Sequence, residues 1–418
     1  MIKMFRLHNQ IKQYEWGSPY HIPRLLGVPA GVEPCAELWM GCHPGAPSQV
    51  SLPADMASGQ AGTGSMSLGD LIAGNPLQYL GEKAANEYGT LPFLFKLLAA
   101  EKPLSIQVHP NLEQAREGFD RENKAGLPLD APNRNYKDPN HKPEIICALT
   151  PFTGMCGFRS RNEIQQLLAV FLNLLPPDLR ECLNPLVQAL AASQSDAAQP
   201  DAMRNFLKAL FNLSPAVRQA LTESILSAGN PVGAENIEWA LMQDFARLYP
   251  GDPAVIAPLY LNVFRLEPGE AIFLKAGILH AYIKGFGVEL MASSDNVLRG
   301  GLTGKYVDIE ELIKVLDCSP MKPDIIKPEP GFSQFTYPVS CKEFSLTVIR
   351  NDTASSLPMF PVNGPAICIV TEGEAVIGDM VLKQGESAFI PPQNNGKNPV
   401  LHGHFTVYAA SFPGENSR

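Results

Sequence analysis

Proline occurs 38 times and glycine 34 times in this 418-residue chain. Proline removes a backbone donor and fixes φ, and glycine supplies the conformations that tight turns need. Punctuation this dense suits many short strands and turns better than long helices. With 45% apolar and 18% charged residues there is material for a sizeable core. The length allows two or three domains.

The texture changes twice. From 1 to about 155 short apolar runs are broken by Gly and Pro. Leu91–Leu98 and Ser105–His109 are predicted strands, and Ser67–Ile72 and Glu113–Phe119 short helices. Between about 160 and 250 the period becomes helical. Ser160-Arg161-Asn162-Glu163 is a capping box, followed by Ile164, Leu167, Leu168, Phe171 and Leu175 at 3.6-residue spacing, and Pro176-Pro177 ends that helix. Met203 to Phe211 forms a second stripe, Ser214-Pro215 opens a third helix, and Asn236 to Tyr249 makes a fourth. Ala191 to Ala202, small and polar, is predicted as a surface linker. Strands return from about 255, Lys322 to Pro338 reads as a Pro-rich link, and from Glu343 the chain is again β.

Leu266-Glu267-Pro268-Gly269-Glu270-Ala271-Ile272-Phe273-Leu274 is echoed 116 residues later by Leu382-Lys383-Gln384-Gly385-Glu386-Ser387-Ala388-Phe389-Ile390. Strand, glycine turn, strand is the rhythm of a small β-barrel or jelly roll, here repeated once. At that offset His280 falls on Gly396, so a metal held by the first copy would be absent from the second.

The net charge of −9 argues against a general nucleic-acid binder. Eight cysteines form no CxxC pair, which disfavours a thiolate zinc site. No secretory-signal pattern opens the chain, and it has no apolar run of about 18 residues. We expect a cytoplasmic protein with reduced thiols and no membrane or nucleic-acid partner.

Three segments carry residues that suit metal chemistry. Ser105, Gln107 and His109 alternate on one strand face, although a half-exposed edge strand would look the same. Asp138-Pro139-Asn140-His141-Lys142-Pro143-Glu144 leads from a loop into an apolar strand, where a scaffold can present site residues. His280 follows a glycine turn with Tyr282 on its own face. Imidazoles, a carboxylate and an amide oxygen are all zinc-compatible. Gln107, His109, Glu144 and His280 together carry one negative charge, leaving a Zn²⁺ site net positive and electrophilic. Further on, Arg299 beside Gly300 and Gly301, with Lys305 beyond, could hold a phosphate or sit in a surface ion pair. No GxxxxGK[ST] loop occurs.

Tyr14-Glu15-Trp16-Gly17, Ala36 to Gly41, Leu91 to Lys96, Ser105 to Pro110, Asp138 to Glu144, His280-Ala281-Tyr282 and Asp295 to Thr303 appear in this order. Together they resemble the type I phosphomannose isomerases. The resemblance covers the chain to about residue 320 and continues through a weaker β C-terminus. It implies a mainly β protein: a cupin-type jelly-roll barrel over 1–155 and 256–320, an inserted helical domain over 156–255, and a second cupin-like barrel without metal over 321–418. It implies an aldose–ketose isomerase interconverting mannose 6-phosphate and fructose 6-phosphate through a cis-enediol, with one zinc per chain; we expect a monomer. The family's zinc ligands fall on Gln107, His109, Glu144 and His280, and its active-site arginine on Arg299. Trp16, Lys96, Ser105, His141, Lys142, Tyr282, Glu289, Asp295 and Lys305 fall in the pocket. We expect the substrate to be bound by Trp16, Lys96, Ser105, Tyr282 and Lys305. Glu289, Asp295, His141 and Lys142 are the candidate bases, and no catalytic residue is expected in the helical block. A mononuclear iron oxygenase on the same scaffold and a non-catalytic sugar-phosphate sensor are the alternatives.

Overall fold

A computed structural model describes residues 4–51, 65–191, 199–228, 236–353, 356–358, 364–393 and 399–413. Gly396 lies outside them. Strands dominate, in two eleven-stranded sheets, and every strand pair within them is antiparallel. One sheet runs through Ala271–Leu274, Glu144–Ala148, His280–Ala292, Phe93–Ala100 and Glu37–Met40. The other runs through Ser345–Asn351, Phe405–Ser411, Ala366–Ile377 and Ser387–Ile390 to the first strand, Phe5–His8. The start of the chain is thus built into the sheet of its end.

His280–Ala292 organises the first sheet. Its early residues pair with Phe152–Phe158, and His280 also pairs with Gln107; its later residues pair with Phe93–Ala100 and Glu144–Ala148. A thirteen-residue strand can serve both sets only by bending. The bend falls at the register irregularity between Tyr282 and Lys284 and at Gly285, whose φ of +137° and whose approach to Phe152 leave no room for a side chain.

Strand alternation sets the layers. Ile106, Val108, Leu279 and Ala281 join the core formed with the helices, whereas His280 and Tyr282, at the alternate positions, are buried on the other side. The helices follow the sequence pattern. Ser160 and Glu163 form the capping box of Arg161–Asn173, Ser214 caps Pro215–Ser227 and Asn236 caps Ile237–Leu248. Two short helices, Pro177–Cys182 and Asn184–Ala191, follow where the sequence reading placed nothing beyond a helix end. Pro177 is tolerated there because a first-turn residue needs no N–H, and Leu179, Leu183, Leu186 and Leu190 fill the core. The expected linker Ala191–Ala202 is also corrected at its end. Residues 199–202 begin the helix Gln199–Phe211, while 192–198 lie outside the described residues. Gln199 is buried because its amide accepts from the Arg161 N–H at 3.0 Å and donates to the Arg159 carbonyl at 2.8 Å. The expected strand Ser105–His109 shortens to Gln107–Val108, since Ile106 exchanges backbone bonds with the 300–301 turn instead.

The nine-residue echo is a structural one. Gly269 and Gly385 adopt φ of +90° and +83°. In both turns the following glutamate folds back on the residue three before it: Glu270 accepts from the Glu267 N–H at 3.0 Å and Glu386 from the Lys383 N–H at 2.8 Å.

Phe5, 2% exposed, packs edge-on to Tyr79 and beside Phe389. Phe5→Ala is expected to lower stability by about 3–5 kcal/mol in denaturant unfolding. Val32→Ala, at a 93% exposed position, is expected to change it by less than about 0.5 kcal/mol. Equal effects would contradict the anchoring of the N-terminal strand.

Candidate metal centre

His109, Glu144 and His280 converge from three separate segments, and their ligand atoms all lie within 4.8 Å of one another. All three are at least 97% buried. Each imidazole is oriented by a backbone oxygen: His109 Nδ1 donates to the Asn296 carbonyl at 2.7 Å and His280 Nδ1 to the Ile278 carbonyl at 2.8 Å. A carbonyl can only accept, so Nδ1 carries the proton and Nε2 presents a lone pair. Those lone pairs face Glu144. His280 Nε2 is 3.0 Å from Oε1, and His109 Nε2 is 3.3 Å from Oε2. Acceptors aimed at one another repel unless a cation lies among them. Glu144 Oε2 and His280 Nε2 also have no hydrogen-bond partner among the described residues. Two neutral imidazoles and a carboxylate, dry and preset, fit a divalent metal of the zinc type.

Gln107 belongs to the same face. It is the direct ladder partner of His280 on one side and of Arg299 on the other, and directly opposed antiparallel residues point the same way. The Tyr282 hydroxyl donates to Glu144 Oε1 at 3.0 Å, and burial with the Glu144 charge keeps that phenol protonated. Lys142 sets its ammonium 3.3 Å from Glu144 Oε2 and 3.4 Å from His109 Nε2. Burial alone would raise the Glu144 carboxyl, but the Lys142 ammonium beside it holds it well below the usual carboxylate range. Burial, with Lys142 close by, lowers His109 to about 4.

A second layer lies along the sheet. Trp39, Lys96 and Glu289 are successive ladder partners across three strands. Lys96 donates to Glu289 at 2.9 Å, lies 3.5 Å from Glu37, and sits 5.2 Å over the Trp39 ring. Trp39 in turn donates to Glu37 at 2.7 Å. Burial opposes the charge on Lys96, but its two carboxylates more than offset that and keep it cationic. Burial raises the Glu289 carboxyl despite Lys96, because that one ammonium is shared with Glu37.

The remaining expected residues fall at different distances from this core. Arg299 is half-buried with its pKa lowered by burial, and the exposed Lys305 is lowered by partial burial and then by the charges of Arg299 and Lys137. Three cations therefore gather at one rim. Trp16 stacks on Tyr14 at 5.6 Å, and the Tyr14 phenol is raised by burial and by Glu37, which puts it beside the second layer. Ser105 is half-buried next to Ile106, whose backbone bonds the turn after Arg299. Asp295 is exposed and held by His43 at 3.2 Å, a bond that lowers its carboxyl. His141 is not brought to the metal ligands. It pairs with Glu343 at 2.8 Å and lines a separate cavity of about 320 Å³ with Arg116 and Lys342.

Sequence reasoning missed Glu37, Trp39, His43, Lys137 and Asn296. Glu37 had a legible signal, a carboxylate between Ala36 and Leu38 in an apolar strand. Asn296 had none. Fully buried, it accepts from the Lys137 N–H at 2.7 Å and donates to the carbonyls of Asp138 and Asn140, so it fastens the loop before Glu144 while its own carbonyl aims His109.

Fold and site together define a mainly β protein with a buried mononuclear metal centre beside a cationic rim. Residues 4–161 match the family model for the catalytic domain of type I phosphomannose isomerase. The mannose-6-phosphate isomerase of Salmonella typhimurium is 39% identical over 93% of this chain and 94% of its own length. That of Escherichia coli is 37% identical over 96% and 98%, and the human one 33% over 90% and 88%. A zinc-bound crystal structure of a mannose 6-phosphate isomerase matches with TM-score 0.82 at 36% identity, covering 98% of this chain and all of that one. The chain belongs to the type I phosphomannose isomerase family.

The His109 environment has a pH consequence. In the metal-free protein, the unfolded imidazole takes up a proton near 6.5 and the folded one only near 4. The unfolded state thus binds more protons between these values, and stability falls as pH drops through that window, by up to roughly 3 kcal/mol. Urea melts of chelated protein at pH 7, 5.5 and 4.5 are expected to show this loss, and His109→Gln to flatten it. An unchanged slope in the variant would contradict the assignment.

Proposed function

We propose that this protein is a zinc-dependent isomerase interconverting mannose 6-phosphate and fructose 6-phosphate. The observation that carries the reading is the convergence of the buried Glu144 carboxylate with two imidazole Nε2 atoms whose rings have already given their Nδ1 protons to backbone carbonyls. Family membership supplies the substrate. His109, Glu144, His280 and the Gln107 amide oxygen hold the zinc, which when bound polarises the sugar's carbonyl and hydroxyl oxygens.

The protein's own groups do the rest. The fork of Arg299, projecting on the Gln107 face, stabilises negative charge that develops on the sugar oxygens as a proton leaves C2 of the aldose or C1 of the ketose. Lys305 and Lys137, with Arg299 beside them, attract the phosphate to the rim. Ser105, next to the residue that bonds the turn after Arg299, offers its hydroxyl on that side, and Trp16 lies toward the Glu37–Lys96 layer. Lys142 and Glu289 are the two candidate bases best placed to carry the proton through a cis-enediol: both are buried, Lys142 against Glu144 and Glu289 one layer deeper. Lys96 stays bound to Glu289 and Glu37 and tunes that carboxyl rather than meeting the phosphate. Asp295, committed to His43, is second in line, and His141, turned to Glu343 in a separate cavity, has no part as the base.

The catalytic unit is a cupin-type jelly roll over 1–155 and 256–320. The block 156–255 shapes access and holds no catalytic group, and 321–418 is a cupin-like barrel without metal. Unpaired thiols, many of them buried, suit the cytoplasm, and we read the protein as a monomer. No helix among the described residues is long and apolar enough to cross a membrane. Two histidines and a carboxylate also serve iron oxygenases, but that chemistry gives the cationic rim no role, and metal analysis separates the two.

A coupled assay is expected to show fructose 6-phosphate converted to mannose 6-phosphate, activity lost with chelator and restored by zinc. Turnover unaffected by complete metal removal would overturn the reading. Arg299→Ala is expected to lower kcat and kcat/KM together by roughly 10²-fold, the cost of one lost oxyanion donor. A change confined to KM would reduce Arg299 to a phosphate anchor. Isomerisation in D₂O is expected to place deuterium at C1 of fructose 6-phosphate over many turnovers. Its complete absence would point to a hydride shift and remove Lys142 and Glu289 from the role of base.

A further inference from the structure

A cavity of about 410 Å³ lies where the C-terminal strands meet the metal-bearing sheet. It is lined by the short helix His21–Leu25, by the chain just after Glu144–Ala148, and by Arg350 and Thr406 of the second sheet. Arg24 and Arg350 both border it, and neither guanidinium has a hydrogen-bond or ion-pair partner among the described residues. Some other arginines are matched, Arg159 by Glu238 at 2.7 Å and Arg134 by Asn123 at 2.6 Å, while Arg161 and Arg180 also leave buried donors unpaired but do not line this cavity.

Arg350 is held rather than free. Its guanidinium carbon sits 5.1 Å over the Phe332 ring, and its Nε is shut off from solvent with nothing to donate to. A buried donor left unmade is costly, so such a group calls for an acceptor. Glu372, the acid among the lining residues, is exposed and already accepts from the Thr406 hydroxyl at 3.2 Å. The lining also holds a flat stacked pair: the His21 ring lies on Phe286 at 5.2 Å with 7° between planes.

We propose that this cavity binds a small organic phosphate, a phosphate monoester of sugar or nucleotide size, at a site separate from the metal centre. Two planar forks match phosphate oxygens better than a single carboxylate. The volume exceeds what inorganic phosphate fills and falls in the range of small-molecule sites. The ligand would touch both sheets at once. Thr150 lies two residues past the strand Glu144–Ala148, and Phe286 lies three residues before Glu289 on the strand that begins with His280. Occupancy therefore ties the docking of the C-terminal strands to the two strands that carry the metal ligands and the second layer.

The test uses the zinc-loaded full chain and isothermal titration with adenosine 5′-monophosphate and with inorganic phosphate. Lys305→Ala serves as background to weaken phosphate binding at the metal-centre rim. One adenosine 5′-monophosphate per chain is expected to bind in that background, more tightly than inorganic phosphate. Arg24→Glu, an exposed change that leaves the core intact, and Arg350→Gln are each expected to weaken it about tenfold or more. In the otherwise native chain, Arg24→Glu is expected to leave ligand-free turnover unchanged. Binding that disappears with Lys305→Ala, or that persists undiminished in both cavity variants, would overturn the site. Equal affinity for inorganic phosphate and the nucleotide would overturn its organic character. The binding readout does not depend on turnover, so failure of the isomerase assay would leave it intact.

Discussion

The structure depends on one demanding contact: a buried carboxylate set against two imidazole nitrogens that cannot donate to it, with Lys142 and Tyr282 as its polar support. Glu144 is 1% exposed and lies within 3.3 Å of two imidazole nitrogens whose protons are already given to backbone carbonyls. Lys142 alone offers it a charge, and Tyr282 alone a hydroxyl. Burying a carboxylate is expensive unless it is paired, so the surrounding strands have to hold this geometry against its tendency to spring open. Antiparallel ladders on every side do so, and a divalent cation converts the mutual repulsion of the lone pairs into cohesion. Metal binding and local stability are therefore two readings of the same arrangement.

The strand His280–Ala292 connects this centre to everything else. It begins with a ligand, bends at Gly285 and ends in the ladder that places Glu289 against Lys96 and Met291 against Glu144. The bend lets one strand present a metal ligand and a buried ion pair to the same interior. Asn296, just beyond it, closes the arrangement from the other side by fixing the 137–140 loop and the His109 ring together. Charge falls off in order from this core: a metal triad, a lysine between two glutamates, then a rim of Arg299, Lys305 and Lys137 turned toward solvent.

What could be read from the sequence was whatever local chemistry determines. Caps and stripes located the main helices because hydroxyls and carboxylates at a helix start have a fixed spacing. The repeated glycine turn was visible because its glutamate performs the same backbone bond in both copies. His109, Glu144 and His280 could be grouped because their ligand types are restrictive. The helices Pro177–Cys182 and Asn184–Ala191 were hidden because proline at a helix start looks like proline at a helix end. The roles of Lys96 and Asn296 were hidden for a different reason. A lysine reads as a phosphate contact until Glu37 and Glu289, far away in sequence, are seen to neutralise it. Asn296 acts through backbone groups, which no residue pattern records. His141 shows the same limit: it precedes the ligand by three residues yet turns to Glu343, a partner only the folded chain supplies.

X-ray absorption at the zinc edge of the loaded protein tests the centre most directly. The account predicts a first shell of nitrogen and oxygen atoms at about 2.0–2.2 Å, with the outer-shell scattering of two imidazoles, and no sulfur. A thiolate at about 2.3 Å, or the signature of fewer than two imidazoles, would contradict it.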